Sequence, residues 1–483
     1  MYVAGQGALA GQVARWLGSA AVASGPHMER QIDLTVLVPV LKERENVVRL
    51  LPRLRRVLDQ LACTSEVLLV DGGSRDGTVE AARSLGARVL AQRAPGYGGA
   101  LREGFAAAAG RYVLTLDADL SHDPDFIVKL WRARHTGDVV IASRYVTGGV
   151  AYMPWHRLVL SRVLNRFLAV GLSLPVHDLS SGFRLYQASV LAGLSLEGRN
   201  FDVLEEILVK AYAAGWRVVE LPFTYYPRDS GSSHARIVRF GLSLLGAFFR
   251  LWRLRSSIES ADYDERAFYS RIPLQRYWQR RRHRIITGFA RARGRTLDVG
   301  CGSSVILQSL NNAIGLDVRA NKLRYMRRYG VPLVQGSVVA LPFTEESFDC
   351  VVCSQVIEHV PADPAIFSEL TRVLRPGGLL VLGTPDYATI GWRVIEPLYG
   401  ALAPGGYRDE HITHYTGASL RELARRHDLE ITAHAYVFRS ELILAMRKGE
   451  TTAAAGRQVA SGVAGDSCRT GICYGASALP SNT

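Results

Sequence analysis

Cysteine is scarce in this chain, with six in 483 residues. So few cysteines in so long a chain exclude a disulfide framework of the kind that holds small secreted domains together, and they favour a reducing compartment. Cys350 and Cys353 form a CxxC pair. They stand in an apolar run with no second ligand pair, so we interpret them as buried thiols rather than as half of a zinc site.

Long apolar runs are missing as well. No run reaches the roughly 18–20 apolar residues that span a bilayer, and the longest candidate, 241–249, is bracketed by Arg239 and Arg250. The stretch 1–30 begins with small apolar residues but lacks a basic start, which makes it a poor signal peptide. We predict that it is extended or disordered, with translation starting at Met1 or Met28, and that the protein is cytoplasmic without a transmembrane helix.

Acidic residues are too few to balance the basic ones, which leaves a formal net charge of +14. This excess indicates an anionic partner, either nucleic acid, an anionic membrane surface or a phosphate-bearing substrate. The segment 276–295 holds eight arginines and no acid. It is interpreted as part of a basic linker, 259–294, that anionic lipid could hold, or as the solvated face of the next domain's first helix. No nucleic-acid motif accompanies it, so we predict no nucleic-acid partner.

A second basic element precedes that linker. In the segment 237–258 the apolar residues Phe240, Leu244, Phe248 and Trp252 recur every four residues among arginines. Such an amphipathic helix either lies in a membrane interface or packs on its own domain, and the pattern leaves both open.

The segment 31–236 alternates short apolar runs with amphipathic stretches, which predicts an α/β fold with a mostly parallel sheet. The predicted strands are Leu34–Val38, Glu66–Asp71, Arg88–Ala91, Tyr112–Asp117 and Asp138–Ser143. Helices fit between them, over Glu45–Leu61 and Asp76–Leu85 among others.

Acidic residues stand at two of these strand ends. Asp71 ends one run, and Asp117 and Asp119 end another. Ligands of open α/β sheets bind outside the carboxyl ends of the strands, so these carboxylates are expected to face one ligand. Residues i and i+2 of an extended segment point to the same side, which suits a divalent cation held by Asp117 and Asp119 against a nucleotide diphosphate.

Seven motifs occur in a fixed order from Leu34 to Phe240: VLVPVLKERENV, VDGGSRDGT, GYGGALREGF, DADLSHDP, ASRYVTGG, DLSSGFRLY and PRDSGSSH. In this order they resemble the dolichyl-phosphate mannose synthases, which are inverting glycosyltransferases of the GT-A fold. The resemblance implies transfer of a hexose, with mannose from GDP-mannose expected, to a polyprenyl or dolichyl phosphate at the cytoplasmic membrane surface. A UDP-sugar donor, glucose or GlcNAc, remains open.

The resemblance also implies roles for individual residues. Pro39, Glu43 and Asp71 would hold the nucleotide, and Asp117 and Asp119 would bind Mg²⁺ or Mn²⁺. The acceptor phosphate would meet Arg144, Arg157 and Ser161, and Arg228 would brace the diphosphate. Arginine suits this task because its planar fork matches phosphate oxygens.

Strand–helix alternation restarts at Thr296 and predicts a second α/β domain over 295–448. Its predicted strands are Thr296–Val299, Ala313–Asp317, Leu333–Gln335, Phe348–Ser354 and Gly378–Gly383. The run LDVGCGSS ends a strand at Asp298–Val299 and places Gly300 and Gly302 in a tight turn, and Asp317 ends the next strand. A glycine turn followed about 20 residues later by an acid is typical of a nucleotide site whose acid binds a ribose.

With VQGSVVALPF, SFDCVVCSQVIEHV and ELTRVLRPGGLLVLGTP, this half resembles the class I S-adenosylmethionine-dependent methyltransferases, whose domain is Rossmann-like. The resemblance implies that Asp298, Gly300 and Gly302 lie beside the amino-acid part of S-adenosyl-L-methionine. Asp317 would bind its ribose, and Ser337 and Val338 would flank the adenine. An inactive, scaffolding methyltransferase-like domain is the alternative.

Four residues could deprotonate a methyl acceptor: His359, His411, His414 and Tyr415, the last three in the run HITHYT. A general base must lie within hydrogen-bond reach of its substrate, and each histidine has a purely structural alternative. The tail, 449–483, is rich in small and polar residues and is predicted to be disordered. The methyl acceptor and the oligomeric state do not follow from the sequence.

Overall fold

The computed structural model describes residues 32–226, 237–291, 294–402 and 411–450. Their strands form two seven-stranded sheets and one two-stranded sheet. The chain is therefore built from two α/β units, a GT-A-type unit followed by a Rossmann-like unit, as the alternation of strands and helices predicts. The proposed disordered segments, 1–30 and 449–483, lie almost wholly outside the described residues.

Within the described residues, the first unit has nine strands: β1 (Ile32–Val40), β2 (Ser65–Asp71), β3 (Arg88–Ala91), β4 (Gly110–Thr115), β5 (Val139–Ser143), β6 (Val150–Ala151), β7 (Arg184–Gln187), β8 (Val218–Pro222) and β9 (Thr224–Tyr225). The large sheet has the order β3-β2-β1-β4-β7-β5-β8, and β6 pairs with β9. β1 runs parallel to β2 and β4, whereas β7 runs antiparallel between β4 and β5. All five predicted strands are present, and the sequence pattern missed β6 to β9.

The helices of this unit are α1 (Arg44–Asp59), α2 (Thr78–Ser84), α3 (Tyr97–Ala107), α4 (Ile127–Arg132), α5 (Trp155–Gly171), α6 (Ala188–Ala192) and α7 (Asp202–Ala213). α1 shows why they form: Val47, Leu50, Leu54 and Val57 recur at helical spacing and are all fully buried. Such an apolar stripe has to pack on the sheet. The predicted Glu45–Leu61 is shifted from α1 by one or two residues.

The second unit contains seven strands: β10 (Thr296–Val299), β11 (Ala313–Asp317), β12 (Leu333–Gln335), β13 (Phe348–Ser354), β14 (Leu374–Pro385), β15 (Leu429–Val437) and β16 (Glu441–Lys448). Their order is β12-β11-β10-β13-β14-β16-β15. β16 pairs antiparallel with both β14 and β15, and the other neighbouring strands of this sheet pair in parallel. The first four strands have the predicted limits. Cys350 and Cys353 lie fully buried in β13, which confirms that they are core residues.

Three helices connect the two units: α8 (Ile237–Ser256), α9 (Tyr263–Phe268) and α10 (Pro273–Ala290). The basic segment 259–294 contains α9 and α10, and α10 is the helix that precedes the first strand of the second unit. This helix buries Ile285, Ile286 and Ala290 against the second sheet and leaves most of its arginines outside. Whether anionic lipid holds the segment 259–294 stays a prediction. The remaining helices are α11 (Val305–Ser309), α12 (Ala320–Met326), α13 (Pro364–Arg372), α14 (Ile390–Leu402) and α15 (Gly417–Arg426).

The two units share a packed boundary. Arg324 of α12 donates to the Ala214 carbonyl at 2.6 Å, and Tyr212 contacts Tyr325 edge to face. At the end of α8, buried Arg255 forms a double hydrogen bond with Asp262 at 2.6 and 2.7 Å. These contacts place α9 directly beside the second sheet. Among the described residues, no helix combines the length and the apolarity that crossing a bilayer requires.

Candidate active sites

The first site forms where the carboxyl ends of parallel strands meet. β1 pairs with β2 so that Val40 lies opposite Asp71, and with β4 so that Leu37 lies opposite Thr115. Pro39, Asp71 and Asp117 therefore reach the same edge of the sheet, where the strand order reverses between β1 and β4. This is the position at which open α/β sheets bind ligands. We call this edge the donor cleft.

Asp71 organises the loop that follows β2. Its carboxylate accepts hydrogen bonds from the backbone N–H groups of Gly73 and Ser74, each at 3.0 Å at the closest oxygen. Gly73 has a φ of +95°, a conformation that favours glycine. Glu43 stands at the start of α1 and accepts from the Asn46 amide at 2.6 Å. Both acids thus shape the loops at the entrance of the donor cleft.

Asp117 and Asp119 differ in environment. The Asp117 side chain is 31% exposed and accepts a hydrogen bond from the Tyr97 hydroxyl at 3.3 Å. Asp119 is 5% exposed, and its carboxylate accepts from the Ser121 N–H at 3.1 Å and hydroxyl at 2.5 Å. We predicted an extended segment with both carboxylates on one side. The structure instead has a turn with Leu120 at a φ of +59°, because β4 ends at Thr115.

His122 is a residue that the sequence did not single out, although it lies in the DADLSHDP motif. Its Nδ1 accepts from the Asp117 backbone N–H at 3.1 Å, and its ring stacks on Phe183 with centroids 5.1 Å apart. Burial lowers the pKa of His122 despite the nearby Asp117 and Asp119. The neutral imidazole of His122 therefore holds the backbone of the loop that carries Asp117 and Asp119, which we call the acidic loop.

Arg144 follows β5 and reaches the same edge. Its Nε and Nη2 bond the two carboxylate oxygens of the fully buried Asp178 at 2.7 and 2.6 Å, and Nη2 also donates to Ser180 at 2.8 Å. Burial opposes the charge, but the bonds with Asp178 raise the pKa of Arg144. Asp178 was not predicted as a site residue. Its place in the DLSSGFRLY motif was the available signal.

The other predicted acceptor residues lie on or near α5. Arg157 is exposed in its first turn, and the Ser161 hydroxyl accepts from the Tyr145 hydroxyl at 2.6 Å. Asn165 links the two groups, since its amide donates to the Ser161 carbonyl at 2.8 Å and to Ser180 at 3.0 Å. Ser161 is therefore joined to Arg144 through hydrogen bonds, whereas Arg157 is not part of this network. Arg228 lies outside the described residues.

The second site follows β10. Gly300 and Gly302 have φ values of +66° and +53°, and the Gly302 N–H donates to Asp317 at 2.8 Å. A Cβ on Gly300 would overlap the Val356 side chain, and one on Gly302 would overlap Asp264. The predicted Asp298, Gly300, Gly302 and Asp317 are thus brought together at the carboxyl ends of β10 and β11. Beside them lies a cavity lined by Gly300 and Gly302 and by Ser354 and Gln355 at the end of β13, which we call the cofactor cleft.

The acid of β10 is poorly satisfied. Asp298 is 4% exposed, and among the described residues nothing hydrogen-bonds its Oδ2. Burial, together with the neighbouring charge of Asp317, raises the pKa of Asp298 to about 8. An unpartnered buried carboxyl oxygen is costly, which indicates that a ligand with a donor group completes this site.

The helices between the units cover the cofactor cleft. Asp264 of α9 accepts from the Ser303 N–H at 3.0 Å and pairs with Lys322 at 2.8 Å. Arg282 of α10 forms a double hydrogen bond with buried Glu441 at 2.6 and 2.8 Å. No sequence pattern predicts that these two helices cover the cleft. Ser337 and Val338 lie after β12, and Val338 is buried beside the Ser337–Ala340 bridge.

The predicted acceptor-side residues separate into two groups. His359 and His411 have ring centroids 4.9 Å apart, and His414 stacks on Tyr387 at 4.0 Å. Tyr415 is 7% exposed and packs in the hydrophobic core instead. Burial, followed by the charges of His359 and His414, lowers the pKa of His411 to about 3. The histidine rings therefore lie together, and Tyr415 packs in the adjacent core near Glu358.

Two family models match the chain. Glycosyl transferase family 2 matches residues 35–194, and a methyltransferase domain matches residues 297–382. The two matches fall on the two sheets described above.

Curated relatives match the first half. The dolichol-phosphate mannosyltransferase of Pyrococcus furiosus is 34% identical over 213 residues, which are 42% of this chain and 59% of the relative. The polyprenol monophosphomannose synthase of Mycolicibacterium smegmatis is 31% identical over 252 residues, 47% of this chain and 89% of the relative. The chain thus spans less than two thirds of the Pyrococcus protein but most of the mycobacterial one.

Solved structures match each half separately. Glucosyl-3-phosphoglycerate synthase from Mycobacterium tuberculosis, in complex with Mn²⁺ and UDP, is 19% identical, with a TM-score of 0.37 over 47% of this chain and 86% of that one. A SAM-dependent methyltransferase from Thermotoga maritima is 19% identical, with a TM-score of 0.29 over 36% of this chain and 97% of that one. On its family and relative matches, the chain belongs to glycosyl transferase family 2, in a dolichol-phosphate mannosyltransferase-like form fused to a methyltransferase domain.

Proposed function

We propose that the first unit is an inverting glycosyltransferase that moves mannose from GDP-mannose to a polyprenyl or dolichyl phosphate. The observation that carries this proposal is the meeting of Asp71, Asp117 and Arg144 at the carboxyl ends of β2, β4 and β5. Two acids and one oriented arginine on one edge suit a reaction between two phosphate-bearing substrates. The names of the curated relatives support the sugar and the lipid acceptor.

A divalent cation, Mg²⁺ or Mn²⁺, fits the acidic loop. Asp117 offers a partly exposed carboxylate, and Asp119 lies behind it in the same turn. Hard cations of this kind prefer carboxylate oxygens and take further ligands from substrate phosphates. When bound, the cation would neutralise charge on the nucleotide diphosphate as it leaves. Pro39, Glu43 and Asp71 would hold the nucleotide, and Arg228 would brace its diphosphate.

The acceptor phosphate is assigned to Arg144. Its pairing with Asp178 orients the guanidinium and keeps it charged. Arg157 and Ser161 of α5 would complete this phosphate site. A phosphate monoester is already largely ionised near neutral pH, with a second pKa of about 6. The reaction therefore needs positioning more than a strong base.

A membrane surface would supply the lipid acceptor. α5 exposes apolar side chains where a helix on a protein surface usually shows polar ones: Trp155 is 77% exposed, Leu160 64% and Val163 61%. Three exposed arginines, Arg157, Arg162 and Arg166, stand among them. Apolar residues interleaved with arginines suit the interface of an anionic bilayer. Phe248 of α8 stacks on Phe167 at 5.2 Å, which extends this surface and supports peripheral attachment.

The first half is tested with the full chain, a short polyprenyl phosphate, Mg²⁺ or Mn²⁺, and a panel of labelled sugar nucleotides. We expect label from GDP-mannose in the lipid phase and none with Asp119→Ala. Transfer from UDP-glucose or UDP-GlcNAc instead would keep the reaction class and reject mannose. A lack of lipid-soluble product with every donor would reject the polyprenyl acceptor.

For the second unit, limited to 295–448 with α9 and α10 as its cover, we propose S-adenosyl-L-methionine-dependent methyl transfer. Asp298 supports cofactor binding, because it keeps an unpartnered oxygen among the described residues and the resemblance places it beside the cofactor's amino-acid part. Gly300 and Gly302 would let the backbone approach the cofactor, and Asp317 would bind its ribose. The bound cofactor supplies an electrophilic methyl group. Ser337 and Val338 would flank its adenine.

One observation favours a second candidate, an inactive scaffold. The cofactor cleft beneath α9 and α10 encloses only about 80 Å³, whereas ligand pockets usually measure about 300–1,000 Å³. Cofactor binding would therefore require α9 and α10 to shift. Equilibrium binding of labelled S-adenosyl-L-methionine separates the two candidates. Saturable binding that Asp317→Ala weakens supports the enzyme, and a lack of binding supports the scaffold.

A further inference from the structure

Three potential metal ligands lie together beyond the end of β13. Glu358 and His359 belong to a single 3-10 turn, 357–359, that follows the strand, and His411 comes from the loop before α15. The backbone N–H groups of Ile412 and Thr413 donate to the Glu358 carbonyl at 2.8 and 3.1 Å. These bonds hold the loop against the turn, so the three side chains share one fixed framework.

Their ligand atoms are close enough to share one ion. One carboxylate oxygen of Glu358 and one ring nitrogen each of His359 and His411 all lie within 4.8 Å of one another. Ligands at about 2.1 Å from a tetrahedral ion are roughly 3.4 Å apart. Side-chain rotations alone would therefore close the set around an ion, without movement of the backbone.

Glu358 supplies an independent sign of a cation site. It is fully buried, and its Oε2 accepts from the Thr384 hydroxyl at 3.1 Å. Nothing among the described residues hydrogen-bonds its Oε1. Burying a carboxylate oxygen without a donor is costly, and a metal ion is the partner that the two adjacent imidazoles would also accept.

Neighbouring oxygen atoms hold the His411 ring in place, as is usual for histidines that bind metal ions. Its Nδ1 lies 2.6 Å from the Tyr387 hydroxyl and 3.6 Å from a Glu396 oxygen. A histidine that gives one ring N–H to a neighbouring oxygen keeps the other nitrogen available for a metal. Tyr387 is itself held by the stacked ring of His414. This arrangement fixes the ring orientation of His411 beside Glu358 and His359.

We propose that Glu358, His359 and His411 bind a divalent transition-metal ion of the zinc, iron or manganese class. Two imidazoles and one carboxylate are a ligand set of catalytic zinc and of non-haem iron sites, which keep coordination positions open. The turn begins three residues after Ser354, which lines the cofactor cleft. The open positions would take an oxygen of the methyl acceptor and lower the pKa of its hydroxyl. Only this role rests on the proposed methyl transfer; metal binding does not.

The experiment uses untagged, chelator-treated full-length protein carrying Asp117→Asn and Asp119→Asn, so that the acidic loop of the donor cleft does not compete. Binding of Zn²⁺, Mn²⁺ and Fe²⁺ is measured by equilibrium dialysis and metal analysis. We expect one ion per chain, with affinity reduced at least 100-fold by His359→Asn, His411→Asn or Glu358→Gln. His427→Asn is the matched control, because His427 stacks on Phe367 away from the cluster.

Circular dichroism of each variant separates loss of ligand from loss of fold. Co²⁺ provides a second readout. The His427→Asn protein keeps all three proposed ligands, so the visible spectrum of Co²⁺ bound to it reports direct coordination by the cluster. If the protein with all three ligands binds metal no more tightly than correctly folded His359→Asn or His411→Asn protein, the proposed metal site is wrong. Metal binding without any methyl transfer would reject the proposed reaction and leave the site standing.

Discussion

The two clefts share half of their architecture and differ in how their acids are satisfied. Both sheets run 3-2-1-4 on one side, as β3-β2-β1-β4 and β12-β11-β10-β13, and both open where that order reverses. In the donor cleft, Asp71 and Asp119 accept hydrogen bonds from the loops that follow them. In the second unit, Asp298 and Glu358 each keep one buried oxygen for which the described residues provide no donor.

This difference supports the ligand that we propose for each cleft. The donor-cleft acids are held by backbone N–H groups, so the site keeps its shape and presents the carboxylate of Asp117 outward. Preorganised charge of this kind suits a cation and a diphosphate. Asp298 and Glu358 each need a ligand with a positive charge or a hydrogen-bond donor to satisfy their remaining oxygen. This agrees with the proposed cofactor at Asp298 and the proposed metal ion at Glu358.

The strongest predicted change is a loss of glycosyl transfer that leaves the second cleft unaffected. Asp119→Asn should lower glycosyl transfer by about 10³-fold, since loss of metal electrostatics costs several kcal/mol. Affinity for S-adenosyl-L-methionine, measured on the same preparation by calorimetry, should not change. An equal loss in both assays would show that the substitution damages the whole fold.

The second prediction concerns how stability and cofactor affinity of the second cleft depend on pH through Asp298. The pKa of Asp298 is about 8 in the folded protein, above its ordinary 3.8. In the folded protein this carboxyl stays protonated up to about pH 8, whereas in the unfolded chain it ionises above about pH 4. The free energy of unfolding therefore falls as the pH rises from about 4 to 8. A cationic cofactor needs the ionised form. Its affinity should rise by up to about tenfold per pH unit between pH 6 and 8.

Asp298→Asn is the control for this pH dependence. The variant cannot ionise at this position, so its cofactor affinity should be low and nearly constant over the same range. A slope that persists in the variant would assign the titration to another group. Isothermal calorimetry in buffers of different ionisation enthalpy also counts the protons released on binding.

A glycine pair tests the shape of the second cleft. Gly300 and Gly330 have φ values of +66° and +67°, but a Cβ overlaps Val356 only at Gly300 and meets nothing within 4 Å at Gly330. Both alanine variants carry the same backbone strain. Gly300→Ala should also weaken cofactor binding by about 30-fold, since overpacking costs roughly 1–3 kcal/mol. Equal affinities in the two variants would show that Gly300 does not border the cofactor.

The smallest effect concerns the membrane surface of the first unit. Val163 is 61% exposed on α5 and Val48 is 48% exposed on α1. Val163→Glu should reduce binding to anionic vesicles about tenfold, because burying one apolar side chain contributes roughly 1.5–3 kcal/mol. The same change at Val48 should have no effect. Flotation with vesicles compares them, and equal losses would argue against a docking role for α5.

Much of the fold followed from local patterns. β3, β10, β11, β12 and β13 have the limits predicted from short apolar runs bounded by turn residues. β7, RLYQ, escaped prediction because it has no such run. It becomes a strand by pairing antiparallel with β4 and β5. β15 and β16 likewise depend on each other and on β14 for their hydrogen bonds.

The sites were predictable in part for the same reason. Asp71, Asp117, Gly300 and Asp317 lie at or just beyond strand ends, and strand ends can be located from the sequence. The unequal environments of Asp117 and Asp119 were not predictable, because they follow from a turn at Leu120. The partner of Arg144 was also missed, since Asp178 lies 34 residues away along the chain.

The two α/β units, their order and the strand ends that carry the acids follow from the sequence alone, because these depend on periodicity and on turn chemistry within a few residues. Contacts between distant residues depend on the folded structure: Asp264 with Ser303, Arg282 with Glu441, and Glu358 with His411. Each pair joins separate elements, so its contact depends on how sheets and helices pack. Packing is a property of the whole fold that no local pattern encodes.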